Sequence, residues 1–396
     1  MRPAITPISQ DLQFFTELED ICLTSALILA GGFGTRLRPL TCTRPKPLFP
    51  LGNRPLSEIS VERLAESGIE RVIFAINYQA EKIMQYFGSG EKYGIEIKYA
   101  KEKRPLGTGG PIKNAQNLLD DSPFFVLNGD VISLIDFKDM LNFHKQRGDA
   151  LGTIALYPVE DPSRYGAVEL DNAYRILRFV EKPPPGEEPS NLINAGAYVL
   201  DPEVFDYIPN NEPFSIERGV FPIFADQMKL YGYKYDDLWL DMGKPADYIQ
   251  ANKYVLDYFL KKTDSSTKKG AFISSSARIE EPVYINSSIA IGNNVEIAKD
   301  THIGPYVCIG DDVSIGQGCR IENSIIFPDV RIESFSSINN CIIGEAATLG
   351  RWVKIEGLTI IGDYCTIKDN VTLTSGVMIC PWKTVSESII TPQTIM

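Results

Sequence analysis

The sequence has very little histidine and no pattern of paired cysteines. Of its 396 residues only two are histidine, His144 and His302, and neither lies in a recognisable motif. The seven cysteines include no Cys-x-x-Cys pair, so the spacings typical of zinc ribbons and redox motifs are missing. An odd number of cysteines without such spacing favours free thiols in a reducing compartment, and we predict a cytoplasmic protein.

Basic charge and long apolar runs are also scarce. Lysine and arginine total 39 against 51 acidic residues, which gives a net charge of −12 and a pI near 4.9. A general binder of nucleic acid or of membrane surfaces would carry a basic face, so we expect neither partner. No apolar run approaches the roughly 20 residues of a membrane span, and the first residues lack a basic-then-apolar secretory pattern. A polyanionic ligand must therefore be bound by a few local cations.

The chain divides into two regions by its hydrophobic periodicity. Between residues 26 and 261, short strand-like apolar runs alternate with amphipathic helix-like runs. This pattern predicts an α/β domain with a Rossmann-like, mostly parallel sheet, and in such sheets ligands bind outside the carboxyl ends of the strands. Residues 262–271 are polar and charged and are predicted to be a linker, whereas residues 1–25 form an N-terminal extension without a functional assignment.

Residues 272–385 follow a period of six. An isoleucine or another apolar residue recurs at this spacing, which matches neither a helix nor an alternating strand. A triangular parallel β-helix explains the period, because three six-residue sides complete one coil and each isoleucine stacks on the coil below. Phe327 is the next residue in phase after Ile321 and is therefore expected to point inward. The phase then slips between Phe327 and Ile343, which predicts a loop or an irregular coil there. Residues 386–396 are assigned to a C-terminal tail.

One stretch of the first region combines glycines with closely spaced cations. Residues 27–50 read LILAGGFGTRLRPLTCTRPKPLFP, so an apolar strand runs into a glycine-rich turn followed by Arg36 and Lys46. Successive backbone N–H groups of such a turn can converge on one phosphate chain. Arg36 offers a forked donor, and Lys46 offers a compact charge fixed between two prolines. Taken alone the stretch could be a surface turn with scattered basic residues, because glycine-rich loops are weak signals.

The same stretch closely resembles the signature of the sugar nucleotidyltransferases, or NDP-sugar pyrophosphorylases, which is roughly GGxGTRLxPLTxxxPKP. Further stretches follow in the order found in that family: LGTGG, NGD, EKP, NAG and WLDMGKP. The resemblance covers nearly everything from residue 26 to residue 396, and it implies a left-handed β-helix for the repeats. Among the branches of the family, the guanylyltransferases of mannose 1-phosphate are the most similar. The expected reaction is nucleotidyl transfer from GTP to mannose 1-phosphate, giving GDP-mannose and pyrophosphate.

The resemblance also assigns residues to this reaction. The attacking sugar phosphate is already an anion, so the reaction requires charge neutralisation and in-line placement rather than a general base. Arg36 and Lys46 are expected to clamp the triphosphate, and Lys182 is expected to clamp the sugar phosphate. Asp130 and Asp241 each end an apolar strand and match the metal ligands of the family, so Mg²⁺ is the expected cofactor. An isolated aspartate in that position would otherwise be a turn or cap residue.

The other expected contacts divide between the nucleotide and the sugar. Nucleotide contacts are expected from Gly31, Gly32, Gly34, Thr35, Gln79, Gly107, Thr108 and Gly129. Sugar-phosphate contacts are expected from Gly166, Glu181, Lys182, Asn194 and Glu217. Two of these residues have simpler interpretations, since Lys182 could be a solvated loop cation and Glu217 a helix-start partner of Ser215. The guanine preference follows from no single residue.

Other functions remain open at this point. Within the family, the alternative is an adenylyl-, thymidylyl- or uridylyltransferase acting on glucose 1-phosphate, and the sequence RPKPL weakly disfavours the adenylyl branch. A non-catalytic regulatory relative would usually lose a phosphate-loop or metal residue, and all of these are present. A second, acyltransferase activity of the repeats would need a histidine base, for which His302 is the only candidate. We instead expect the repeats to assemble the chain into a homo-oligomer, with Trp352 as a candidate contact.

Overall fold

The computed structural model describes residues 25–262 and 270–396. Residues 1–24, within the predicted extension, and residues 263–269, within the predicted linker, lie outside the described part of the chain. The described part contains an α/β region followed by stacked parallel strands, which confirms the predicted fold class. No helix in this part is both long enough and apolar enough to cross a membrane.

The first region contains thirteen strands and seven α-helices. The strands are β1 (Ser25–Ala30), β2 (Pro50–Leu51), β3 (Arg54–Pro55), β4 (Arg71–Ile76), β5 (Glu96–Lys101), β6 (Phe124–Asn128), β7 (Val131–Ser133), β8 (Gly152–Pro158), β9 (Gly166–Leu170), β10 (Ile176–Glu181), β11 (Leu192–Leu200), β12 (Leu230–Lys234) and β13 (Trp239–Asp241). The helices are α1 (Leu56–Glu66), α2 (Ala80–Phe87), α3 (Gly109–Asn114), α4 (Phe137–Lys145), α5 (Ile216–Gly219), α6 (Phe221–Asp226) and α7 (Pro245–Lys262).

Nine of these strands form one mixed sheet with a parallel centre. Its order is β10-β9-β11-β6-β1-β4-β5, and β8 pairs with both β11 and β12. Strands β6, β1, β4 and β5 are mutually parallel, whereas β11 runs antiparallel to β6. Strand β1 is apolar from Ala26 to Ala30 because both of its faces are covered: Leu27 enters one core and Ile28 the core on the opposite face. The carboxyl ends of the parallel strands therefore meet at one edge, where the glycine-rich turn begins.

Residues 271–395 form a parallel β-helix of three sheets. The first sheet, called the interface sheet below, contains Ala271–Ile273, Ile289–Ile291, Val307–Ile309, Ile325–Ile326, Cys341–Ile343, Thr359–Ile361, Val377–Ile379 and Gln393–Ile395. The second contains Arg278–Ile279, Glu296–Ile297, Ser314–Ile315, Arg331–Ile332, Thr348–Leu349, Thr366–Ile367 and Thr384–Val385. The third contains Val283–Ile285, Thr301–Ile303, Arg320–Glu322, Ser337–Asn339, Lys354–Ile355 and Thr372–Leu373.

The predicted phase slip near Phe327 produces irregular coils, one of the two predicted outcomes, and not a loop. The coils continue through this part of the stack, but two of their sides are one residue shorter, so that Ile309 pairs with Ile326 and Ile326 with Ile343. Ile326 therefore points into the β-helix core, and Phe327 is turned outward, which corrects its expected inward position. Phe327 is nevertheless fully buried, since it packs against the α/β region.

The interface sheet packs against the α/β region through a shared apolar core. The outward residues of successive coils, such as Ile325, Ile342 and Ile360, lie in the same core as Phe49 and Tyr248 of the first region. Phe49 contacts Tyr248 and Phe327, with ring centroids 5.4 Å and 6.1 Å away. An apolar contact of this kind stabilises the relative placement of the two regions, since separating them would expose buried side chains to water.

Candidate active site

The glycine-rich turn leaves β1 at the carboxyl edge of the sheet. After Ala30 the chain makes three short helical turns, Thr35–Leu37, Leu40–Cys42 and Lys46–Leu48. Gly34 has a φ of 58°, and a Cβ there would lie 2.8 Å from the methyl carbon of Thr41, so this position requires glycine. The Thr41 hydroxyl donates to the Gly34 carbonyl at 3.0 Å. The loop is therefore folded back on itself rather than being a free surface turn.

This turn borders a cleft of about 750 Å³. That volume is in the range of ordinary small-molecule sites. Thirteen of the residues predicted from the sequence line it: Gly31, Gly32, Gly34, Thr35, Arg36, Lys46, Gly107, Thr108, Gly129, Asp130, Glu181, Lys182 and Glu217. Four do not, namely Gln79, Gly166, Asn194 and Asp241. The cleft thus unites segments that are far apart in the chain.

A buried lysine and an aspartate meet on one side of the cleft. The Lys46 side chain is 7% exposed, and its ammonium donates to the Asp130 carboxylate at 2.9 Å. Asp130 follows β6 through Gly129, where a Cβ would lie 2.6 Å from the Leu29 carbonyl oxygen. The chain can therefore pass close to β1 only with glycine at this position, and the turn delivers the Asp130 carboxylate to the cleft.

Asp241 lies near Asp130 because its strand, β13, pairs with β7, which begins directly after Asp130. Strand β13 runs antiparallel to β7, with Asp241 opposite Val131, the residue that follows Asp130. Burial raises the pKa of Asp241 and the charge of Asp130 raises it further, while Lys46 and Arg36 oppose the rise. A Cβ on Gly243 would lie 3.2 Å from the Arg36 guanidinium and 3.3 Å from the Asp241 carboxylate, so these groups surround one point.

This donor set fits a divalent cation shared with a ligand. In the described part of the chain no three acidic, histidine or cysteine side chains are arranged as a complete metal site. Mg²⁺ characteristically takes only one or two carboxylates and completes its shell with phosphate oxygens and water. Asp247, which the sequence reasoning missed, adds a buried carboxylate oxygen without a hydrogen-bond partner among the described residues. Its position in WLDMGKPADY was the available signal.

Glu181, Lys182 and Glu217 lie together at another part of the cleft. Lys182 has a left-handed φ of 53°, and its ammonium lies 3.9 Å from the Glu181 carboxylate. Burial raises the pKa of Glu181, and the negative charge of Glu217 adds to the rise. Glu217 accepts hydrogen bonds from the hydroxyls of Thr108 at 2.5 Å and Ser215 at 2.6 Å. The hydrogen bond between Ser215 and Glu217 is therefore present, and Glu217 also lines the cleft, so its contact with the sugar stays a prediction.

Gly166 and Asn194 support this part of the cleft without lining it. A Cβ on Gly166 would lie 2.7 Å from the Phe179 ring and 2.9 Å from the Glu181 carboxylate, so glycine makes room for both side chains. The Asn194 amide donates to the Tyr198 hydroxyl at 3.0 Å and accepts from the Gly196 N–H at 2.9 Å. Both residues thus have contacts within the protein, and their predicted contacts with sugar hydroxyls stay predictions.

Some polar groups of the residues expected to contact the nucleobase already form hydrogen bonds within the protein. The Gln79 amide donates to the Thr41 carbonyl at 3.1 Å and so holds the glycine-rich loop from outside the cleft. The N–H groups of Thr108 and Gly109 both donate to the Phe214 carbonyl, at 3.1 Å and 2.8 Å. Of residues 107–110, only Gly107 and Thr108 line the cleft. The open glycine edge expected from LGTGG is thus largely packed against Phe214.

A buried glutamate that the sequence reasoning missed lies beside this loop. Glu102 lines the cleft and is 6% exposed. One of its oxygens accepts from the Leu106 N–H at 3.0 Å, and a Cβ on Gly31 would lie 2.6 Å from the other. Burial raises the pKa of this carboxyl, and the hydrogen bond from Leu106 opposes the rise. Its place at the end of β5, just before LGTGG, was the signal in the sequence.

The fold and the site define a class of protein that comparisons with known proteins also identify. The family model described as "Nucleotidyl transferase" matches residues 25–258, and the model described as "GMPPB C-terminal domain" matches residues 285–395. The chain belongs to the nucleotidyl transferase family. The predicted membership of the sugar nucleotidyltransferases and the predicted nucleotidyltransferase activity class are thereby confirmed.

Individual relatives are similar over nearly the whole chain. A mannose-1-phosphate guanyltransferase of Candida albicans is 40% identical, over 92% of this chain and 97% of the relative. The mannose-1-phosphate guanyltransferase of Pichia angusta is also 40% identical, over 93% of this chain and 99% of the relative. A Drosophila pseudoobscura pseudoobscura protein named mannose-1-phosphate guanylyltransferase catalytic subunit beta is 38% identical, over 94% and 97%.

Solved structures support the fold of the first region. HddC from Yersinia pseudotuberculosis is 30% identical with a TM-score of 0.50, covering 58% of this chain and 99% of that one. A putative glucose-1-phosphate thymidylyltransferase from Bacillus anthracis has a TM-score of 0.53 and covers 62% of this chain and 98% of that one. The second protein is 24% identical, so its similarity bears on the fold alone.

Proposed function

We propose that this protein transfers a guanylyl group from GTP to mannose 1-phosphate, releasing pyrophosphate and giving GDP-mannose. The observation that carries the proposal is the meeting of Lys46 with Asp130 in a cleft bordered by the glycine-rich loop. Cations and carboxylates at one point suit a reaction in which several phosphates approach one another. The names of the relatives in Candida albicans and Pichia angusta support this choice of substrates.

The proposed chemistry needs no histidine. The phosphate oxygen of mannose 1-phosphate attacks the α-phosphorus of GTP, the bond to the β,γ-diphosphate breaks, and pyrophosphate leaves. His144 is buried against Thr153, and His302 stacks on Tyr284 in the third sheet of the β-helix. Neither lines the cleft. This arrangement fits a nucleophile that is already ionised, and it also disfavours His302 as the base of a second activity.

The charges of the cleft divide between leaving group and nucleophile. We assign Lys46 and Arg36 to the triphosphate and the departing pyrophosphate, and Lys182 to the phosphate of the sugar. Asp130 and Asp241 would hold the divalent cation, with Mg²⁺ as the proposed ion, and such a cation neutralises charge on phosphate oxygens. Glu181 lies beside Lys182 and can accept hydrogen bonds from sugar hydroxyls.

Glu102 gives a physical reason for guanine. The Watson–Crick edge of guanine presents two neighbouring donors, the N1–H and the N2 amino group, and an ionised carboxylate offers two acceptors. Adenine presents an acceptor at N1, which a carboxylate would repel. Because Glu102 is buried and only one of its oxygens accepts from the Leu106 N–H, an unmatched base would leave the other oxygen unpaired, and that cost increases discrimination.

The direct test is pyrophosphate release across a grid of nucleoside triphosphates and sugar 1-phosphates, with Mg²⁺ or with a chelator. We expect release mainly with GTP and mannose 1-phosphate, and we expect the chelator to abolish it. Release with another pair, such as thymidine triphosphate and glucose 1-phosphate, would keep the reaction class and overturn the substrates. No release with any pair from folded protein would favour the regulatory alternative.

The homo-oligomer and the cytoplasmic location stay predictions. Phe335 and Trp352 stack at the corner between the second and third sheets, with ring centroids 4.6 Å apart, and Trp352 is 58% exposed. An exposed aromatic pair of this kind suits contact with a second copy of the chain. A monomer in sedimentation equilibrium at micromolar concentration would contradict it. The six cysteines in the described part of the chain are free thiols, as expected for a reducing compartment.

A further inference from the structure

The glycine-rich loop contacts the β-helix on the side away from the cleft. Lys46 donates into the cleft, whereas Arg44, two residues earlier, forms an ion pair with Glu345 of the β-helix. The Arg44 guanidinium also lies over the Phe327 ring, 5.1 Å from its centroid. One short segment therefore carries a proposed catalytic cation on one side and a contact to the second region on the other.

Glu345 is itself held in place by its neighbours in the β-helix. Its backbone N–H donates to the carboxylate of Asp363 at 2.8 Å, and Asp363 is 2% exposed. Burial raises the pKa of Asp363, and the hydroxyl of Thr43, within hydrogen-bonding reach, opposes the rise. Asp363 therefore binds Glu345 and lies beside Thr43, the residue before Arg44, whose hydroxyl donates to the Leu40 carbonyl at 3.3 Å. Two successive residues of the loop therefore lie against one corner of the β-helix, and Arg44 forms an ion pair there.

The other side of the same segment is held by residues at the start of α2. The Tyr78 hydroxyl donates to the Thr41 carbonyl at 3.0 Å, and the Lys82 ammonium donates to the Thr43 carbonyl. These hydrogen bonds leave little freedom for the backbone from Thr41 to Lys46. The segment is thus held between the start of α2 on one side and the β-helix on the other, an arrangement called the clamp below.

The phase slip of the repeat explains how Phe327 reaches the loop. If the six-residue period continued from Ile321, Phe327 would point into the β-helix core; the shortened side places Ile326 there instead. Phe327 then packs between Arg44 and Phe49, which lie on the two sides of Lys46 in the sequence. The irregularity in the repeat therefore coincides with the contact to the loop.

We propose that Arg44 and Glu345 are positioning residues for nucleotidyl transfer, through which the β-helix holds Lys46 in place. This inference rests on the proposed function. A displacement of a charged group by about 1 Å can cost up to roughly 100-fold in rate, because its interaction with the reacting phosphates depends on placement. We expect removal of the ion pair to lower kcat by about tenfold, with KM for mannose 1-phosphate changed less than twofold, since Lys182 is untouched.

The test compares Arg44→Ala, Glu345→Ala and the double variant with a matched control. Asp257→Ala removes contacts from α7 to the β-helix, namely those with Ser288 at 2.8 Å and Tyr306 at 3.3 Å, and none of these residues touches the loop. Each variant is assayed for kcat and both KM values, and its thermal midpoint is measured. Hydrogen exchange of the amides from residue 41 to residue 48 is followed without substrate.

The inference predicts that kcat falls by the same factor in both single variants and in the double variant. In all three, exchange of the loop amides accelerates, and the Asp257→Ala control keeps its kcat and its exchange pattern. Wild-type kcat in Glu345→Ala, unchanged exchange in the Arg44 and Glu345 variants, or an equal loss of kcat in Asp257→Ala would overturn it. An inactive wild-type protein would contradict the proposed function, and the exchange comparison would still decide whether the clamp exists.

Discussion

The β-helix is built from contacts between equivalent residues of a repeat, whereas the cleft is built from residues of unrelated segments. In the β-helix each inward residue meets an equivalent residue of the next coil, as Ile291 meets Ile309. In the cleft, Lys46 contacts Asp130, which lies 84 positions further along the chain. Nothing in the sequence around one of these residues identifies the other as its partner. The contacts within a repeat can therefore be predicted from its period. For a site built from distant segments, the sequence shows only the short motifs that supply it and not which residues are in contact.

Breaking the cleft should have the largest effect on turnover and little effect on folding. Asp241→Asn removes one of the two carboxylates proposed to hold the metal, and we expect kcat to fall about 1,000-fold, the upper range for loss of one electrostatic partner. Pyrophosphate release measures this loss, and the thermal midpoint should stay near that of the wild type. The control is Asp237→Asn on the same segment. Retention of more than a tenth of the activity in Asp241→Asn would contradict the assignment.

A substitution in the core of the β-helix should have the reverse effect, with a large loss of stability and little direct effect on turnover. Leu349 is fully buried and pairs with Ile332 and Ile367, so Leu349→Ala should lower the free energy of unfolding by about 3 kcal/mol. Its neighbour Thr348 points outward, and Thr348→Ala should cost less than about 0.5 kcal/mol. Denaturant unfolding measures both values. Equal losses would show that the inward ladder is not what stabilises this region.

A substitution at Glu102 sharpens the comparison within the cleft. Glu102→Gln replaces one acceptor of the proposed guanine contact with a donor, so kcat/KM for GTP should fall by about 10- to 100-fold, in line with one bidentate base contact. The value for ATP should not fall. Steady-state assays with both nucleotides measure the ratio, and Glu91→Gln on the surface is the control. An unchanged ratio would exclude Glu102 as the residue that selects the base.

The smallest expected effect concerns pH and lies outside both the cleft and the β-helix. Burial lowers the pKa of His144 to about 4 from the usual 6.5, and the ring bonds to the Thr153 hydroxyl. The unfolded chain takes up the proton first, so stability is full above pH 6.5 and is lost as the pH falls toward 4. Between pH 7.5 and 5.5 we expect a loss of about 1 kcal/mol.

A variant separates His144 from the many carboxylates that titrate at lower pH. His144→Gln should remove most of this loss between pH 7.5 and 5.5, even if it lowers stability at every pH. Denaturant unfolding at several pH values measures the slope. The same slope in wild type and variant would assign the pH dependence to other groups.

Much of the fold could be predicted because its determinants are local or periodic. Strand β1 is apolar from Ala26 to Ala30 and is followed directly by glycines, and the isoleucine period predicted the β-helix. The position of Phe327 could not be predicted, because its burial depends on a partner, Phe49, in the other region. The period alone favours an inward side chain at that position, and only packing between the regions explains the outward one.

The site could be predicted where a motif also faces the cleft. The sequence placed Lys46 and Asp130 in one site, and the structure brings them into contact. Gln79 was assigned to the base, but its amide holds the glycine-rich loop from outside, which depends on where the Thr41 carbonyl points. Glu102 was missed because a lone glutamate at a strand end is ordinary in sequence, and only its burial in the cleft marks it.

The most direct test of the account follows the α-phosphorus of GTP through one turnover. The protein is mixed with GTP labelled at the α-phosphorus, mannose 1-phosphate and Mg²⁺, and the products are separated. The account predicts that the label appears in GDP-mannose in amounts equal to the unlabelled pyrophosphate released. Label in free GMP or GDP, or label that stays in GTP with well-folded protein, would contradict nucleotidyl transfer in this cleft.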